Sequence, residues 1–171
     1  MARAFDLKLL AADPYVNAIE LGYIGARKVD LDPLLAEADF VAVCCLLNDE
    51  TRHLIGAPQF ARMRPTPYFV NVARGPIVDE AALIDALRAG GIRGAALDVF
   101  EQEPVAPDNP LLAMDQVILT PHSLCWTDEC FHNMAATGLA SIVDALAGRR
   151  PEFVVNPEVL AHPRVRAWTA R

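Results

Sequence analysis

FVAVCCLL, residues 40–47, is an unbroken apolar run. A strand with one wet face alternates apolar and polar residues; a continuous run marks a strand covered on both faces. Such strands belong to parallel sheets flanked by helices, so the neighbouring segments decide the fold. On the N-terminal side, residues 7–12 read as a short strand stopped by Asp13 and Pro14, and residues 26–29 as another, with a helical turn around 16–21 between them. On the C-terminal side, YFVNVA at 68–73, IRGAALDVF at 92–100 and VILT at 117–120 read as strands. Helix signatures fill the gaps. Asp32 and Pro33 open a helix to Ala38, residues 57–63 form a short one, and Asp79 caps one that runs to about Ala89, ended by Gly90 and Gly91. Thr127 caps the longest, which stops before Gly148 and carries the stripe Phe131, Met134, Ala135, Gly138, Ile142, Leu146. Strands alternating with helices predict an α/β, doubly wound parallel sheet.

Composition agrees with a well-buried globular chain. Of 171 residues 53% are hydrophobic, and no apolar run is long enough to span a bilayer, so a membrane is excluded as partner. The formal charge of −7 argues against nucleic acid and anionic surfaces. No basic segment followed by an apolar stretch opens the chain, and a cytoplasmic location is expected. Cys44 and Cys45 are adjacent in the run 40–47, where strand geometry points them to opposite faces. Cys125 and Cys130 lie near His122 and His132, but His-x2-Cys-x4-Cys-x-His matches no common zinc spacing. No metal is expected, and the cysteines read as reduced, packed thiols.

Ligands of doubly wound sheets bind at the carboxyl ends of the strands. Those ends carry Asp13, then Leu46-Leu47-Asn48, then Ala73-Arg74-Gly75, then Asp98, then Pro121-His122. A strand that ends in a carboxylate, as the first does at Asp13, suggests half of a nucleotide site. Arg74, turned sharply by Gly75-Pro76, offers a rigid fork of donors matched to a carboxylate or an activated carbonyl. His122 follows Thr120-Pro121, which should hold the backbone extended and place the ring; imidazole is the usual acid/base near neutral pH. Glu101 and Glu103 of DVFEQEP are both able, by composition, to orient that ring.

Taken together in this order, NVARGPIVDEAALIDAL, GAALDVFEQEP and LTPHS resemble the D-isomer-specific 2-hydroxyacid dehydrogenases, and LAEADFVAVCCLLNDETRHLIG is similar to that family's cofactor-loop region. The likeness runs from Ala4 to about Val159. It implies a Rossmann-like, NAD-dependent oxidoreductase that moves a hydride between nicotinamide and a D-2-hydroxy or 2-oxo acid. Arg74 would bind and polarise the 2-oxo acid, His122 would pass the proton, and Glu103 rather than Glu101 would be the histidine's partner. On the cofactor side the resemblance implies Asp13 at the adenine-ribose hydroxyls, where a carboxylate repels a 2′-phosphate and favours NAD over NADP. Cys45, Leu46 and Thr51 would lie along the cofactor, Val72 and Ala73 beneath the nicotinamide, Asp98 at the ring or its amide, and Ser123 at the carboxamide. A homodimer is the family's usual assembly.

The sequence departs from that family in one large respect. No G-x-G-x-x-G turn precedes Asp13, so the motif whose amides cradle a pyrophosphate is not in the chain. The reading is therefore of an NAD-binding domain over residues 1–148, incomplete at its N-terminal strand, with 149–171 a tail that would return to a substrate domain. Strands next to the missing one should expose unpaired edges. A non-catalytic NAD-sensing or interaction module, like the family's corepressor relatives, is the alternative of another class, and an inactive fragment a third. Formate dehydrogenase chemistry is disfavoured by Glu103. Leu124 and Trp126 after His122 would either add bulk beside a substrate or pack under the last helix.

Overall fold

The structure is a computed structural model and describes residues 2–169. The chain falls into two compact units, the first ending at Leu124 and the second beginning at Cys125. Sequence alone places a boundary after residue 148; the contacts divide earlier, just past His122.

The first unit is built on six strands, every pairing parallel. Strand β1 (Leu9–Ala11) pairs with β2 (Ala26–Lys28), in register from Leu9 with Ala26 to Ala11 with Lys28. Strands β3 (Phe40–Val43), β4 (Tyr68–Asn71), β5 (Gly94–Leu97) and β6 (Val117–Leu119) form a second sheet in that order. Among the described residues no ladder joins β1 to β3, and the strands form two sheets, β1–β2 and β3–β6. Helices α1 (Ala18–Tyr23), α2 (Leu31–Glu37), α3 (Ala57–Phe60) and α4 (Glu80–Arg88) connect the strands. Asn17 and Glu20 close a capping box on α1, and the Asp79 carboxylate accepts the amide of Ala82 at the start of α4.

Two expectations are corrected here. The run 40–47 is not one strand: β3 stops at Val43, opposite Asn71 at the end of β4, and Cys44 to Leu46 leave the ladder as exposed loop. Nor is β3 covered on both faces. Val41 and Val43 are buried while Phe40 is 61% exposed. Register puts Val41 beside Phe69 and Ala95 on the face covered by Leu35 of α2, Phe60 of α3 and Leu83 and Leu87 of α4. The other face, with Phe40, Tyr68 and Ile118, stays open to water, so an unbroken apolar run served one buried face only. Phe69 is fully buried at the centre, edge-on to Phe60 with ring centroids 5.3 Å apart.

The second unit contains α5 (Asp128–Leu146), capped by the Thr127 hydroxyl on the amide of Cys130, and α6 (Pro163–Thr169). The predicted stripe on α5 is present in sequence but does not enter a core: Phe131, Met134, Ile142 and Leu146 are all exposed. Trp126 packs its ring against Phe131, 6.2 Å between centroids, and both remain largely exposed.

Truncation of the central aromatic should be the severest change in the sheet. Phe69→Ala is expected to cost about 3–5 kcal/mol, whereas Ile118→Ala on the open face should cost less than about 1 kcal/mol. Urea unfolding followed by circular dichroism reads both; equal losses would mean that the open face is covered in solution.

Candidate active site

The carboxyl rim of the four-stranded sheet gathers several ionisable side chains, beginning with Asp98. This residue follows β5 and is 5% exposed. Its carboxylate accepts the Thr120 hydroxyl at 2.5 Å and the amides of Ser123 at 2.9 Å and Leu124 at 3.2 Å. Burial alone would push the Asp98 carboxyl up, but these hydrogen bonds and the neighbouring His122 outweigh it and hold the carboxyl below its ordinary value. The three donors bracket His122. The turn they close carries His122 at φ 52°, in the left-handed region, and not in the extended backbone expected after Thr120-Pro121. Two captured amides stabilise a conformation that a histidine enters reluctantly.

So held, the ring meets Glu103. The distance from Nδ1 to Glu103 Oε2 is 2.8 Å. The other oxygen, Oε1, accepts the amide of Phe100 at 3.0 Å, which fixes the carboxylate as well as the ring. Burial would raise the Glu103 carboxyl; the bonds from His122 and Phe100 and the charges of His122 and Arg74 outweigh it, and the group sits below the usual carboxylate range. An ionised carboxylate only accepts, so the proton of that bond lies on Nδ1, and Nε2 is the ring nitrogen that Glu103 does not engage.

Arg74 follows β4 in extended conformation, exposed, with Nη1 donating to the carbonyl of Ala73 at 2.7 Å. Asn71, 1% exposed, was not singled out by sequence reasoning, yet it places this arginine. Its amide donates to the carbonyl of Arg74 at 3.0 Å and accepts the amide of Ala73 at 3.1 Å. Gly75 then packs on the backbone that leads to Glu103: a Cβ there would lie 1.8 Å from the carbonyl oxygen of Phe100. Only glycine permits this contact, which sets Arg74 and Glu103 side by side. The one sequence signal for it was the glycine directly after Arg74.

A second imidazole–carboxylate pair braces the same segment. His53, also at φ 52°, places Nε2 2.6 Å from Glu101 Oε1 and donates its amide to the carbonyl of Pro76. Glu101 Oε2 accepts the amide of Glu80, and Glu80 Oε2 accepts the amide of Glu101. DVFEQEP thus sends its two acids to different histidines, Glu101 to His53 and Glu103 to His122.

The remaining predicted residues lie on the rim with these surroundings. Asp13 Oδ1 accepts the amides of Tyr15 at 2.8 Å and Val16 at 3.2 Å. Tyr15 donates its hydroxyl to Glu50, and that bond, with the carboxylate charges of Glu50 and Asp13, raises the phenol's pKa. The bond joins the loop after β1 to the loop after β3, across the line where no ladder exists, and Asp13 comes within electrostatic reach of Cys45. Leu46 is 85% exposed and Val72 is exposed, available to a flat ligand; Ala73 is half-buried. The Thr51 hydroxyl is turned inward, donating to the carbonyl of Leu46 at 2.6 Å and accepting the amide of Asn48 at 2.8 Å, so it holds its own loop. Ser123 offers its amide to Asp98. Among the described residues no three His, Cys, Asp or Glu side chains converge as a metal site, and no helix is long and apolar enough to cross a membrane.

Two predictions test this geometry. Gly75→Ala should destabilise by about 3 kcal/mol or more because backbone must move, whereas Gly138→Ala, with open space around it inside α5, should stabilise by up to about 1 kcal/mol. Urea titrations of the two variants measure both. For pH, a carboxyl whose folded value is depressed stabilises fully above its unfolded value and loses that stability as pH falls through the folded one. The melting temperature should hold down to about pH 5 and then fall below about pH 4. Glu103→Gln should lower the plateau and flatten the fall, as thermal melts across pH 3–7 would show.

Comparisons with known proteins bear on the same residues. The sequence model of the family described as D-isomer specific 2-hydroxyacid dehydrogenase, NAD binding domain, matches residues 1–123. Glyoxylate/hydroxypyruvate reductase B of Shigella boydii serotype 4 is 52% identical over 134 residues, 78% of this chain and 41% of that protein. The protein of the same name from Salmonella newport is 53% identical over 133 residues, with the same 78% and 41% covered. Among solved structures, D-lactate dehydrogenase with NAD+ from Lactobacillus jensenii has a TM-score of 0.79 at 34% identity, covering 90% of this chain and 50% of that one. The holo form of Rhodotorula graminis D-mandelate dehydrogenase has a TM-score of 0.80 at 34% identity, covering 88% and 44%. The chain therefore spans half or less of the length of these relatives. A match over more than half of the chain, together with an α/β fold shared with these structures, shows that it belongs to the D-isomer-specific 2-hydroxyacid dehydrogenase family, through the NAD-binding domain.

Proposed function

We propose that this chain carries the acid–base apparatus and the cofactor rim of an NAD-dependent dehydrogenase that interconverts a D-2-hydroxy acid and its 2-oxo acid. The observation that carries the reading is the Glu103–His122 pair, 2.8 Å apart, with the Arg74 guanidinium close enough to lower the carboxyl of Glu103. When bound, NAD supplies the hydride chemistry at C2. The protein's own residues do the rest. Arg74 captures the carboxylate of the 2-oxo acid with its forked donors and polarises the neighbouring carbonyl. His122 in its protonated form delivers a proton from Nε2 to the C2 oxygen during reduction and takes it back during oxidation. Glu103, ionised throughout, keeps Nδ1 protonated and stabilises the charged ring.

The residues present suit a dinucleotide at its two ends. Asp13 stands where the loop after β1 begins, with Oδ1 engaged by two amides and the carboxylate charge set against a 2′-phosphate. Leu46 and Val72 offer exposed apolar surface, and the Ser123 hydroxyl is next to the acid–base histidine. Asp98 acts through the turn it holds. A glyoxylate- or hydroxypyruvate-sized 2-oxo acid is the substrate class this reading favours, on the likeness to the reductases. Four free cysteines support a reducing, cytoplasmic setting, and the exposed Phe131, Met134, Leu139 and Ile142 of α5 support association with a second copy.

NADH fluorescence titrated with the purified chain should show saturable binding, with NADPH binding weaker; Asp13→Asn should narrow that preference by about tenfold, ~1.4 kcal/mol. His122→Gln should leave the NADH titration unchanged while abolishing NADH oxidation by glyoxylate. Equal loss of binding and turnover would overturn the role given to His122, and no NADH binding would overturn the cofactor rim.

A further inference from the structure

The adjacent thiols after β3 take no part in the proton transfer proposed above, although the family resemblance sets Cys45 along the cofactor. The last pair of the β3–β4 ladder is Val43 with Asn71, so the peptide between Cys44 and Cys45 lies just beyond the strand. Both cysteines are free and exposed. They also lie at the start of a tightly bonded turn: Thr51 Oγ1 donates to the carbonyl of Leu46, while the Asn48 side chain accepts the amides of Glu50 and Thr51, each at 3.0 Å. The 44–45 peptide leads directly into that turn.

We propose that Cys44 and Cys45 form a vicinal dithiol which a hydroperoxide closes, reversibly, into a disulfide between neighbouring residues, loosening the turn Leu46–Thr51. The importance of that turn for cofactor binding rests on the function proposed above; the chemistry does not. Neighbouring Cα atoms are about 3.8 Å apart across a trans peptide, less than the roughly 4.4–6.8 Å a relaxed disulfide requires. Closure therefore strains the intervening peptide, and a strained, exposed disulfide is easily reduced. The same strain sets the oxidant: a weak one, such as a glutathione-type disulfide, leaves the dithiol open, while a peroxide O–O bond provides enough driving force.

The step balances. The sulfur of Cys44 attacks the terminal peroxide oxygen, the O–O bond breaks, the alcohol of the hydroperoxide (water from hydrogen peroxide) leaves and a sulfenic acid remains. The sulfur of Cys45 attacks Cys44 sulfur, the S–O bond breaks, and water leaves with the last thiol proton. Two electrons pass from the thiols to the peroxide. Cys45 suits the second role: partial burial first, then the charges of Cys44 and Asp13, raise its thiol pKa, so it is the poorer initial thiolate, while its position guarantees contact with its neighbour.

The test is peptide mapping of the full chain. After treatment with hydrogen peroxide, alkylation and trypsin, the peptide Val29–Arg52 should be recovered two hydrogens lighter and closed to alkylation, and dithiothreitol should restore both thiols. Glutathione disulfide should leave the same peptide fully alkylatable, as should omission of any oxidant. C44S and C45S should each abolish the lighter peptide. Hydrogen exchange at the amides of Asn48 and Thr51 should be about tenfold faster in the oxidised chain. Persistently alkylatable cysteines after peroxide, sulfinic acid in place of the ring, or cross-links to Cys125, Cys130 or a second chain would overturn the dithiol. A lighter peptide with unchanged exchange would overturn its coupling to the turn. None of these readouts depends on whether NADH binds.

Discussion

The buried carboxylate of Asp98 is the constraint from which the rim is built. A carboxylate at the end of a central strand must find donors or lose its charge. Here it takes one hydroxyl from Thr120, at the end of the neighbouring strand, and two amides from the turn beyond. Those two amides belong to the residues after His122, so satisfying the carboxylate forces the backbone of His122 into its left-handed conformation and turns the ring towards Glu103. The His122–Glu103 pair is thus a consequence of burying a charge at a strand end. Arg74 is placed by the same logic one strand away, where the buried amide of Asn71 is satisfied by the backbone of Ala73 and Arg74.

Steric exclusion completes what hydrogen bonding begins. The rim residues come from three strand ends, and nothing in parallel pairing alone holds the following loops together. Gly75 does so by direct backbone contact with Phe100, a contact closed to any other side chain. His53 and Glu101 do so again from a third loop, with Glu80 exchanging two amide bonds with Glu101. A rigid rim would suit the proton transfer proposed above, because a misplacement of about 1 Å at a catalytic site can cost two orders of magnitude in rate.

Much of this was legible in the sequence, for identifiable reasons. Helices α4 and α5 announced themselves through Asp79 and Thr127, whose side chains do cap them. The strands announced themselves through apolar runs, because burial on even one face requires apolar residues. What a run does not encode is how far the ladder extends or how many faces are covered. FVAVCCLL therefore concealed a four-residue strand with Phe40 in water and two cysteines on a loop. Likewise the residue types at strand ends put Arg74 and His122 on one rim, and the family resemblance chose Glu103 over Glu101 as the partner of His122. They did not reveal that the Thr51 hydroxyl and the Asp98 carboxylate spend their hydrogen bonds on the protein itself, since that depends on turns closed by backbone amides from elsewhere. Asn71 escaped notice because an asparagine inside an apolar strand looks like an interruption until its two bonds are seen.

The separation of β1–β2 from the larger sheet shows what holds the two ends of the cofactor rim together. Without a shared ladder, alignment of the loops after β1 and β3 falls to side chains, and the bond from Tyr15 to Glu50 supplies one such link. Both residues are exposed, and an exposed pair of this kind contributes little in water. A ligand that lay across both loops would remove water from the pair and add its own contacts to each side, so ordering of this rim and occupancy by a dinucleotide would reinforce one another. The Glu103–His122 side needs no such link, because Asp98 and Gly75 fix it within the four-stranded sheet.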